Sequence, residues 1–262
     1  MLKFCAALLL TFFALTARAQ TWEIGGALGV AGYVGDLNPN PIKPSRESAG
    51  IFVKRNFNGY LGLKLAYQYY RIVGADSTSG DAQIQNRNLS FTDGLKELSL
   101  RAEFNFMKFI PDVSKSRYTP YVYLGLGFTT FVPHTRYEGI EVSLQNLRTE
   151  GQTEGYRTNT VVIPYGAGFK YNFSGKWTVG AELGYRYTFT DYLDDVSGSY
   201  ADKSKLSSPL SVVLSDRTGD RTGIYTGSAG SQRGDLRKKD IYGFFGFTIS
   251  YTFVTAKCYY EE

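Results

Sequence analysis

Cysteine, histidine and long apolar segments are scarce in this sequence, and each shortage excludes a class of protein. The 262 residues include two cysteines and one histidine, too few for a disulfide framework or a structural zinc site. After the first twenty residues, no segment has the roughly 18 uninterrupted apolar residues that a transmembrane helix needs. Glycine loops that cradle phosphates are also missing. We therefore expect no cofactor and no catalytic or metal centre of these kinds.

The N-terminus has the features of an export signal. Lys3 supplies the positive charge, residues 4–15 form an apolar run too short to span a bilayer, and Ala17-Arg18-Ala19 is a small-x-small cleavage site. These features predict a signal peptide over residues 1–19 and export of the remaining chain. Without the signal, 27 basic residues face 24 acidic ones, an excess too small to indicate nucleic-acid binding.

Aromatic residues and glycine are abundant. The chain has 21 Tyr, 18 Phe and 29 Gly, and its mean hydropathy is −0.23. That value is unlike a helical membrane protein, but it fits a membrane barrel because half of each strand faces a polar interior. Aromatics supply the girdles at the membrane interfaces, and glycines leave room inside a narrow barrel.

Segment 177–190 shows the clearest strand pattern. Alternate positions from Trp177 to Phe189 are apolar or aromatic, whereas the positions between them carry small residues, Glu182 and Arg186. This alternation predicts a strand with one apolar and one polar face. Eight segments alternate in this way and are predicted to be strands: 22–33, 49–57, 60–70, 95–107, 118–132, 160–173, 177–190 and 241–253.

The connections between these strands alternate in length. They are short at 58–59 and 174–176 and intermediate at 108–117, and they are long at 34–48, 71–94, 133–159 and 191–240. Outer-membrane barrels have short periplasmic turns and long outer loops. The pattern predicts an all-β fold, an eight-stranded antiparallel up-and-down transmembrane β-barrel with a filled polar interior.

We expect this barrel to occupy residues 20–253 in the outer membrane, with both termini in the periplasm and residues 254–262 as a periplasmic tail. The apolar face would contact membrane lipid, and aromatic strand ends would form a periplasmic girdle. The alternative is a soluble secreted barrel with an apolar interior. Aromatic strand ends and the asymmetry of the loops favour the membrane barrel.

The inward face of the predicted barrel carries nearly balanced charges. Because eight strands enclose a space that side chains just fill, we predict a paired, hydrogen-bonded plug rather than the selectivity lining of a channel. The predicted members are Glu23, Lys54, Lys64, Glu97, Arg101, Glu103, Lys170, Glu182 and Arg186.

Loop residues offer three weaker candidates for chemistry. His134 begins an outer loop and would be needed for a Ser-His-Asp site, but no nucleophile motif accompanies it, so a solvated residue is expected. Asp191, Asp194 and Asp195 can ligate Ca²⁺, although a polar turn that caps the barrel is the simpler interpretation. Loop 201–240 can contact lipopolysaccharide phosphates through its basic residues, but we expect it to be solvated and mobile.

Cys258 is the single cysteine left after the predicted signal is removed. It follows the last strand in the sequence AKCYYEE. Export compartments are oxidising, so an odd cysteine indicates either an intermolecular disulfide or a free thiol. Both alternatives remain open from the sequence.

Several segments together resemble the PorG family, the small outer-membrane barrel of the type IX secretion system. The resemblance rests on the order of several motifs, among them Gly35 and Asp36 in YVGDL and Asp191, Tyr192, Asp194 and Asp195 in TDYLDDVS. Further matches are Glu97-Leu98-Ser99, Glu103-Phe104-Asn105-Phe106, Thr119-Pro120-Tyr121, Leu124-Gly125-Leu126-Gly127, Tyr251-Thr252-Phe253 and Lys257-Cys258. The resemblance extends over the whole predicted mature chain, although loop 201–240 is long for the family.

The resemblance implies a non-enzymatic barrel that anchors or docks a periplasmic ring to the outer membrane, in an apparatus for protein secretion that supports gliding motility in some species. The implied partners are a PorK-like ring lipoprotein and a PorN-like ring protein, besides outer-membrane lipid. Lys257, Cys258 and Tyr259 are the candidate contact residues, and Cys258 would allow a covalent link. The alternative function is a stand-alone barrel that binds a ligand, lipid or adhesion partner through its long outer loops.

Overall fold

The computed structural model describes residues 21–38, 40, 45–235, 237 and 239–254. Most of the regular structure is β-strand, with short helices in the long connections. The strands are β1 (Thr21–Val34), β2 (Ser45–Asn56), β3 (Leu61–Ala75), β4 (Ser90–Asn105), β5 (Tyr118–Thr130), β6 (His134–Tyr137), β7 (Ile140–Ser143), β8 (Asn159–Ser174), β9 (Trp177–Thr188) and β10 (Ile241–Val254).

Eight long strands form a closed antiparallel barrel. Their order is β3-β2-β1-β10-β9-β8-β5-β4, and pairing of β3 with β4 closes the ring. Every long strand pairs with its neighbours in sequence, and β1 pairs with β10 over its full length. The predicted eight-stranded up-and-down barrel is therefore confirmed. The hairpin of β6 and β7 extends the sheet from β4 through Thr92 and His134.

Alternation along the long strands separates an apolar exterior from a polar interior. In β9 the side chains of Trp177 and Leu183 are 43% and 51% exposed, whereas Glu182 between them is 2% exposed. Large apolar side chains stand outward on all eight long strands. Because a soluble barrel would bury these side chains, the exterior is a lipid-facing belt.

The belt has aromatic residues at the edge near the short turns. The rings of Trp177 and Tyr251 are 5.1 Å apart, and those of Tyr251 and Phe253 are 5.0 Å apart. Half-exposed aromatics on other strands continue this edge, namely Trp22, Phe106, Tyr118, Tyr171 and Phe173. An aromatic edge of this kind is typical of a barrel at the membrane–water interface.

On the side of the long loops, the barrel extends beyond the belt. In this extension apolar side chains face the interior and charged side chains lie on the outer surface. β3 reaches Ala75 and β4 begins at Ser90, about five residues beyond the predicted limits. In this extension Ile72 and Phe91 point inward and are almost fully buried, whereas Arg71 is exposed and pairs with Glu47 at 3.1 Å. The sequence prediction followed one phase of apolar residues, so it ended where that phase changed.

The long loops fold into a compact cap over this extension. They contain α1 (Ala82–Arg87), α2 (Pro209–Ser215), α3 (Thr218–Thr222) and single 3-10 turns at Asp76–Thr78, Gln145–Leu147 and Lys203–Lys205. The loops and the barrel mouth share one apolar core, formed by Ala27, Ala31, Tyr33, Leu37, Tyr70, Ile72, Leu89, Phe91, Leu95, Phe131, Leu144, Val162, Leu193, Val196, Leu214, Tyr242 and Phe244.

Loop 201–240 was expected to be solvated and mobile, but part of it folds into the cap with buried side chains, while other described residues are exposed. Ser208 caps α2 by accepting a hydrogen bond from the Ser211 amide, and Pro209 is the first helical residue. Leu214 and Arg233 are 2% and 3% exposed. No helix in the described part of the chain is long and apolar enough to cross a membrane.

The opposite end of the barrel has compact turns. The side chain of Asn58 accepts hydrogen bonds from the amides of Tyr60 and Leu61, both at 2.8 Å, which fixes the first hairpin. The turn between β4 and β5 folds back on this hairpin, because the Phe109 amide donates to the Gly59 carbonyl at 2.9 Å. Phe109 and Ile110 are buried there.

Candidate functional site

The predicted interior charges form one connected network, which we call the plug: Glu23, Lys54, Lys64, Glu97, Arg101, Glu103, Lys170, Glu182 and Arg186. Near the short turns, Lys54 lies 2.9 Å from Glu23 and 3.5 Å from Glu103. Glu103 also contacts Lys64 at 2.5 Å and Lys170 at 2.6 Å. One carboxylate on β4 therefore holds three ammonium groups from β2, β3 and β8.

The network continues toward the cap with alternating charge. Lys64 lies 3.3 Å from Glu182, and Glu182 accepts a hydrogen bond from Arg101 at 2.9 Å. Arg101 reaches Glu97 at 3.2 Å, and Glu97 accepts from Arg186 at 3.2 Å. A cation and a carboxylate thus alternate along the barrel axis, which keeps each buried charge beside one of opposite sign.

Neutral polar groups and aromatic rings complete the plug. Tyr121 donates to Glu182 at 3.0 Å, and Tyr242 donates to Glu97 at 2.7 Å. The guanidinium of Arg186 lies 4.9 Å from the ring of Tyr70, and the ammonium of Lys170 lies 3.9 Å from that of Tyr121. These contacts orient the charged groups and place cations over aromatic faces.

The plug fills the lumen. A cavity lined by Phe52, Lys64, Arg101 and Glu182 measures about 10 Å³, room for roughly one water molecule. All nine plug residues are at most 6% exposed. Glycine makes this packing possible, because a Cβ at Gly184 would collide with the hydroxyl of Tyr123. The plug side chains therefore pack across the lumen and leave little free space between them.

The cap is held by arginines that bridge distant loops. Arg87, at the end of α1, forms two hydrogen bonds with Asp76 at 2.8 and 2.6 Å and donates to the Asp36 carbonyl at 2.8 Å. Arg233 donates to Glu150 at 3.0 Å and to the Asp195 carbonyl at 2.8 Å. Planar, multidentate guanidinium contacts suit this bridging role.

The acidic motif TDYLDDVS is distributed over three environments. Asp191 accepts from the Ser197 hydroxyl at 2.8 Å. Asp195 is buried, accepts from Thr149 at 2.5 Å and from Tyr156 at 2.8 Å, and lies 3.8 Å from Arg233. Burial raises the pKa of Asp195 to about 6, although the Arg233 charge acts in the opposite direction.

Asp194 turns away from its neighbour and meets Asp36 and Asp240. One oxygen of each of these three carboxylates lies within 4.8 Å of the others. The structure groups Asp194 with Asp36 and Asp240 rather than with Asp191 and Asp195, the set of the calcium alternative, and Asp195 is engaged by Arg233 and two hydroxyls. Gly35 precedes Asp36 in a tight turn, where a Cβ would collide with Tyr33 and Asp240.

Two cap residues, Arg233 and Asp240, were not singled out from the sequence. Asp240 directly precedes β10, a position from which a polar side chain can turn back over the barrel mouth. Arg233 lies in a stretch without periodicity. Its buried position depends on Glu150 and Asp195, which are far away in the chain.

His134 begins β6 and is partly exposed. Among the described residues, the structure pairs its imidazole with no carboxylate or serine hydroxyl. The predicted signal peptide and the tail residues Lys257, Cys258 and Tyr259 lie outside the described residues, so their predictions stay untested.

The chain forms a closed barrel of eight antiparallel strands with an apolar exterior, an aromatic edge and a charged but filled interior. These features define the class of small outer-membrane-type β-barrels. Residues 2–212 match the protein family described as a domain of unknown function, DUF6089. The match spans most of the chain, and the chain belongs to this family. No curated protein matches the sequence.

Solved structures of outer-membrane proteins are similar to the chain at low identity. OprG from Pseudomonas aeruginosa is 13% identical with a TM-score of 0.46, covering 90% of this chain and 97% of that one. A major outer-membrane protein of Thermus thermophilus is 13% identical with a TM-score of 0.45, covering 90% and 100%. Ail from Yersinia pestis, in complex with the heparin analogue sucrose octasulfate, is 11% identical with a TM-score of 0.43, covering 90% and 100%.

Proposed function

We propose that this protein is a non-enzymatic outer-membrane component of the type IX secretion apparatus, which anchors or docks the periplasmic ring. The observation that carries the proposal is the filled lumen. Glu103 alone binds Lys54, Lys64 and Lys170, so opening a path would expose or separate several buried charges at high cost. A barrel closed in this way serves better as an anchor than as a conduit. The resemblance in TDYLDDVS and YVGDL supplies the link to secretion.

The end with the short turns offers a preorganised contact surface for the ring proteins. Phe109 and Ile110 are buried in the turn between β4 and β5, and hydrogen bonds from the Ser114 and Val113 amides to the Ile110 carbonyl close it. Lys115 in the same turn is exposed. Because β1 and β10 begin and end at this side, both termini would face the periplasm together with the turn.

Site-specific photo-crosslinking in cells tests this contact. A crosslinking residue at Lys115 should capture the PorK-like lipoprotein or the PorN-like ring protein, identified by mass spectrometry. The matched control is a crosslinking residue at Lys205, which is exposed on the cap at the opposite end. Capture of ring proteins only from Lys205, or from neither position, would contradict the proposal.

Cys258 provides a covalent form of the same contact. We propose that its thiol forms an intermolecular disulfide with a ring protein, because an odd cysteine in an oxidising compartment is available for pairing. Non-reducing gels of purified outer membranes should show a high-mass band containing the barrel. If the Cys258→Ser variant retains every such band, the disulfide is excluded.

The second candidate is a stand-alone barrel that binds a partner through its cap. It is favoured by apolar side chains on the cap surface, since Ile140, Ile224 and Tyr225 are 68%, 67% and 57% exposed. Replacing Ile140 and Ile224 by serine leaves the buried cap core in place. If the double variant loses surface binding while secretion stays intact, the stand-alone candidate is favoured. If deletion of the gene abolishes secretion and the double variant restores it, the ring anchor is favoured.

Enzymatic activity is not part of the proposed function. The sole histidine would be needed for a hydrolase site of the Ser-His-Asp type. A lipid hydrolase activity that is present in the purified protein and lost in His134→Ala would contradict the non-enzymatic role.

A further inference from the structure

Three buried carboxylates meet where the cap joins the barrel. Asp36 follows β1, Asp194 follows β9 and Asp240 precedes β10, so they come from three separate chain segments. Asp36 is 7% exposed, and Asp194 and Asp240 are each 1% exposed. One oxygen from each lies within 4.8 Å of the other two. Carboxylates at this spacing can share one bound cation.

One buried oxygen of the cluster has no hydrogen-bond partner in the structure. Asp194 accepts from the Val196 amide at 2.9 Å and from the Tyr33 hydroxyl. Asp240 accepts from the Leu193 amide at 3.0 Å, and its Oδ1 lies 3.2 Å from the same hydroxyl, whose single proton can bond to only one of the two carboxylates at a time. Asp36 accepts from the Asp235 amide through Oδ1, but its Oδ2 is buried and has no hydrogen-bond partner. A buried carboxylate oxygen without a donor points to a further ligand.

The arginines that bridge the loops of the cap are engaged with carboxylates outside the cluster. Within the described residues, no lysine, arginine or histidine nitrogen lies within 4.0 Å of these three carboxylates. Burial raises the pKa of Asp36 and the charge of Arg87 opposes that rise, but the Arg87 guanidinium is bound to both oxygens of Asp76 and reaches Asp36 only at its backbone carbonyl. The negative charges of Asp191 and Asp235 add to the potential at Asp36. Buried charge of one sign requires either a cation or protons.

We propose that Asp36, Asp194 and Asp240 bind a divalent cation of the Ca²⁺ type, which fastens the cap to the barrel mouth. The donor set is oxygen only, which suits a hard cation rather than zinc or copper. Bound there, the ion connects the segments after β1, after β9 and before β10. This inference is independent of the type IX function, because it concerns the closure of the cap.

Protons are the competing means of neutralisation. Burial raises the pKa of Asp36 to about 7 and holds the pKa of Asp194 and of Asp240 well above the usual range. The two alternatives differ in their dependence on pH. At pH 8 a cation can replace the protons, whereas at pH 5 the protons compete with it.

Equilibrium dialysis of the folded full chain in detergent with radioactive Ca²⁺ at pH 8 is the first test. We expect one bound Ca²⁺ per chain at millimolar concentration or below, with affinity reduced about tenfold or more in Asp194→Asn and in Asp36→Asn, since each removes one ligand charge. The matched control is Asp112→Asn, an exposed carboxylate in a turn at the opposite end, which should bind like the unmodified chain. The difference in gel mobility between unheated and heated samples checks that each variant is a folded barrel.

Protease resistance of the cap is the second test, and it does not need any variant to fold. At pH 8, Ca²⁺ should slow cleavage within residues 201–240 about tenfold relative to a chelator. Absence of bound Ca²⁺ in the unmodified chain at pH 8, or cleavage that Ca²⁺ does not slow, would overturn the cation site and leave protonated carboxylates. Equal Ca²⁺ binding by folded Asp194→Asn would overturn it as well.

Discussion

The plug and the cap both contain buried charged residues, but they balance that charge differently. In the plug, each carboxylate contacts lysine or arginine, as Glu97 does with Arg101 and Arg186. In the cap, Arg233 and Arg87 pair with some acids, whereas one oxygen each of Asp36, Asp194 and Asp240 lies within 4.8 Å of the others. The plug charges are therefore balanced by the plug's own side chains, and in our proposal the three cap carboxylates are balanced by protons or by a cation from solution.

The largest effect is expected from breaking the plug. Glu103→Leu removes the shared partner of Lys54, Lys64 and Lys170 and should lower the free energy of unfolding by about 3–5 kcal/mol. Denaturant titrations followed by the fluorescence of Trp22 and Trp177 measure this loss. A change below about 1 kcal/mol would show that the plug charges are not coupled.

A smaller and local effect is expected in the cap. Arg233→Met leaves Glu150 and Asp195 without their guanidinium partner, which should destabilise the cap by about 2–3 kcal/mol and leave the barrel folded. Protease cleavage within residues 201–240 should accelerate, while the heat-modified gel mobility stays that of a folded barrel. Loss of the folded barrel would mean that the cap and the plug form one cooperative unit.

The pH dependence should distinguish the two regions further. Because the folded-state pKa of Asp36 is raised to about 7 and those of Asp194 and Asp240 are raised as well, the folded cap retains protons that the unfolded chain releases above about pH 4. The contribution of these protonated carboxyl groups to the free energy of unfolding is present at low pH and is lost as the pH rises from about 4 through 7.

With a chelator present, we therefore expect the cap to be cleaved about tenfold faster at pH 8 than at pH 5. A difference of one pK unit between the folded and unfolded states of one carboxyl group corresponds to this factor. The rates are normalised to cleavage of an unstructured peptide at each pH. Faster cleavage at pH 5 would contradict the assignment of these carboxylates as the titrating groups.

The smallest effect is expected at an exposed ion pair. Glu47 and Arg71 lie 3.1 Å apart on the outer surface, with side chains 64% and 48% exposed. Glu47→Gln should change the free energy of unfolding by less than about 1 kcal/mol, because water screens the pair. It is also the matched control for Glu103→Leu, and a loss as large as that of the plug variant would remove the contrast between buried and exposed pairs.

The barrel was more predictable from the sequence than the cap, for a physical reason. Strand alternation has a period of two and is local, so it placed Glu97, Arg101 and Glu182 on the inward face without knowledge of their partners. The pairings themselves depend on which strands lie opposite across the lumen. Closure by β1 with β10 and the register between strands supply that information.

The cap depends on contacts that no local pattern contains. Asp194 and Asp195 are adjacent in sequence, yet one faces Asp36 and the other Arg233. Helices α2 and α3 have seven and five residues, too short for a clear periodic signal. The long stretch 201–240 was therefore predicted to be a solvated loop, although its Leu214 belongs to the core at the barrel mouth and Leu210 packs against that core.

Conductance across a planar lipid bilayer tests most directly whether the barrel is a closed anchor. The purified chain, inserted in folded form, should show no stepwise ion conductance at moderate voltage, because Lys64, Arg101 and Glu182 fill the lumen around a cavity of about 10 Å³. Reproducible conductance steps from the unmodified chain, suppressed when Gly184 is replaced by a larger residue in a variant that still folds, would contradict a filled barrel.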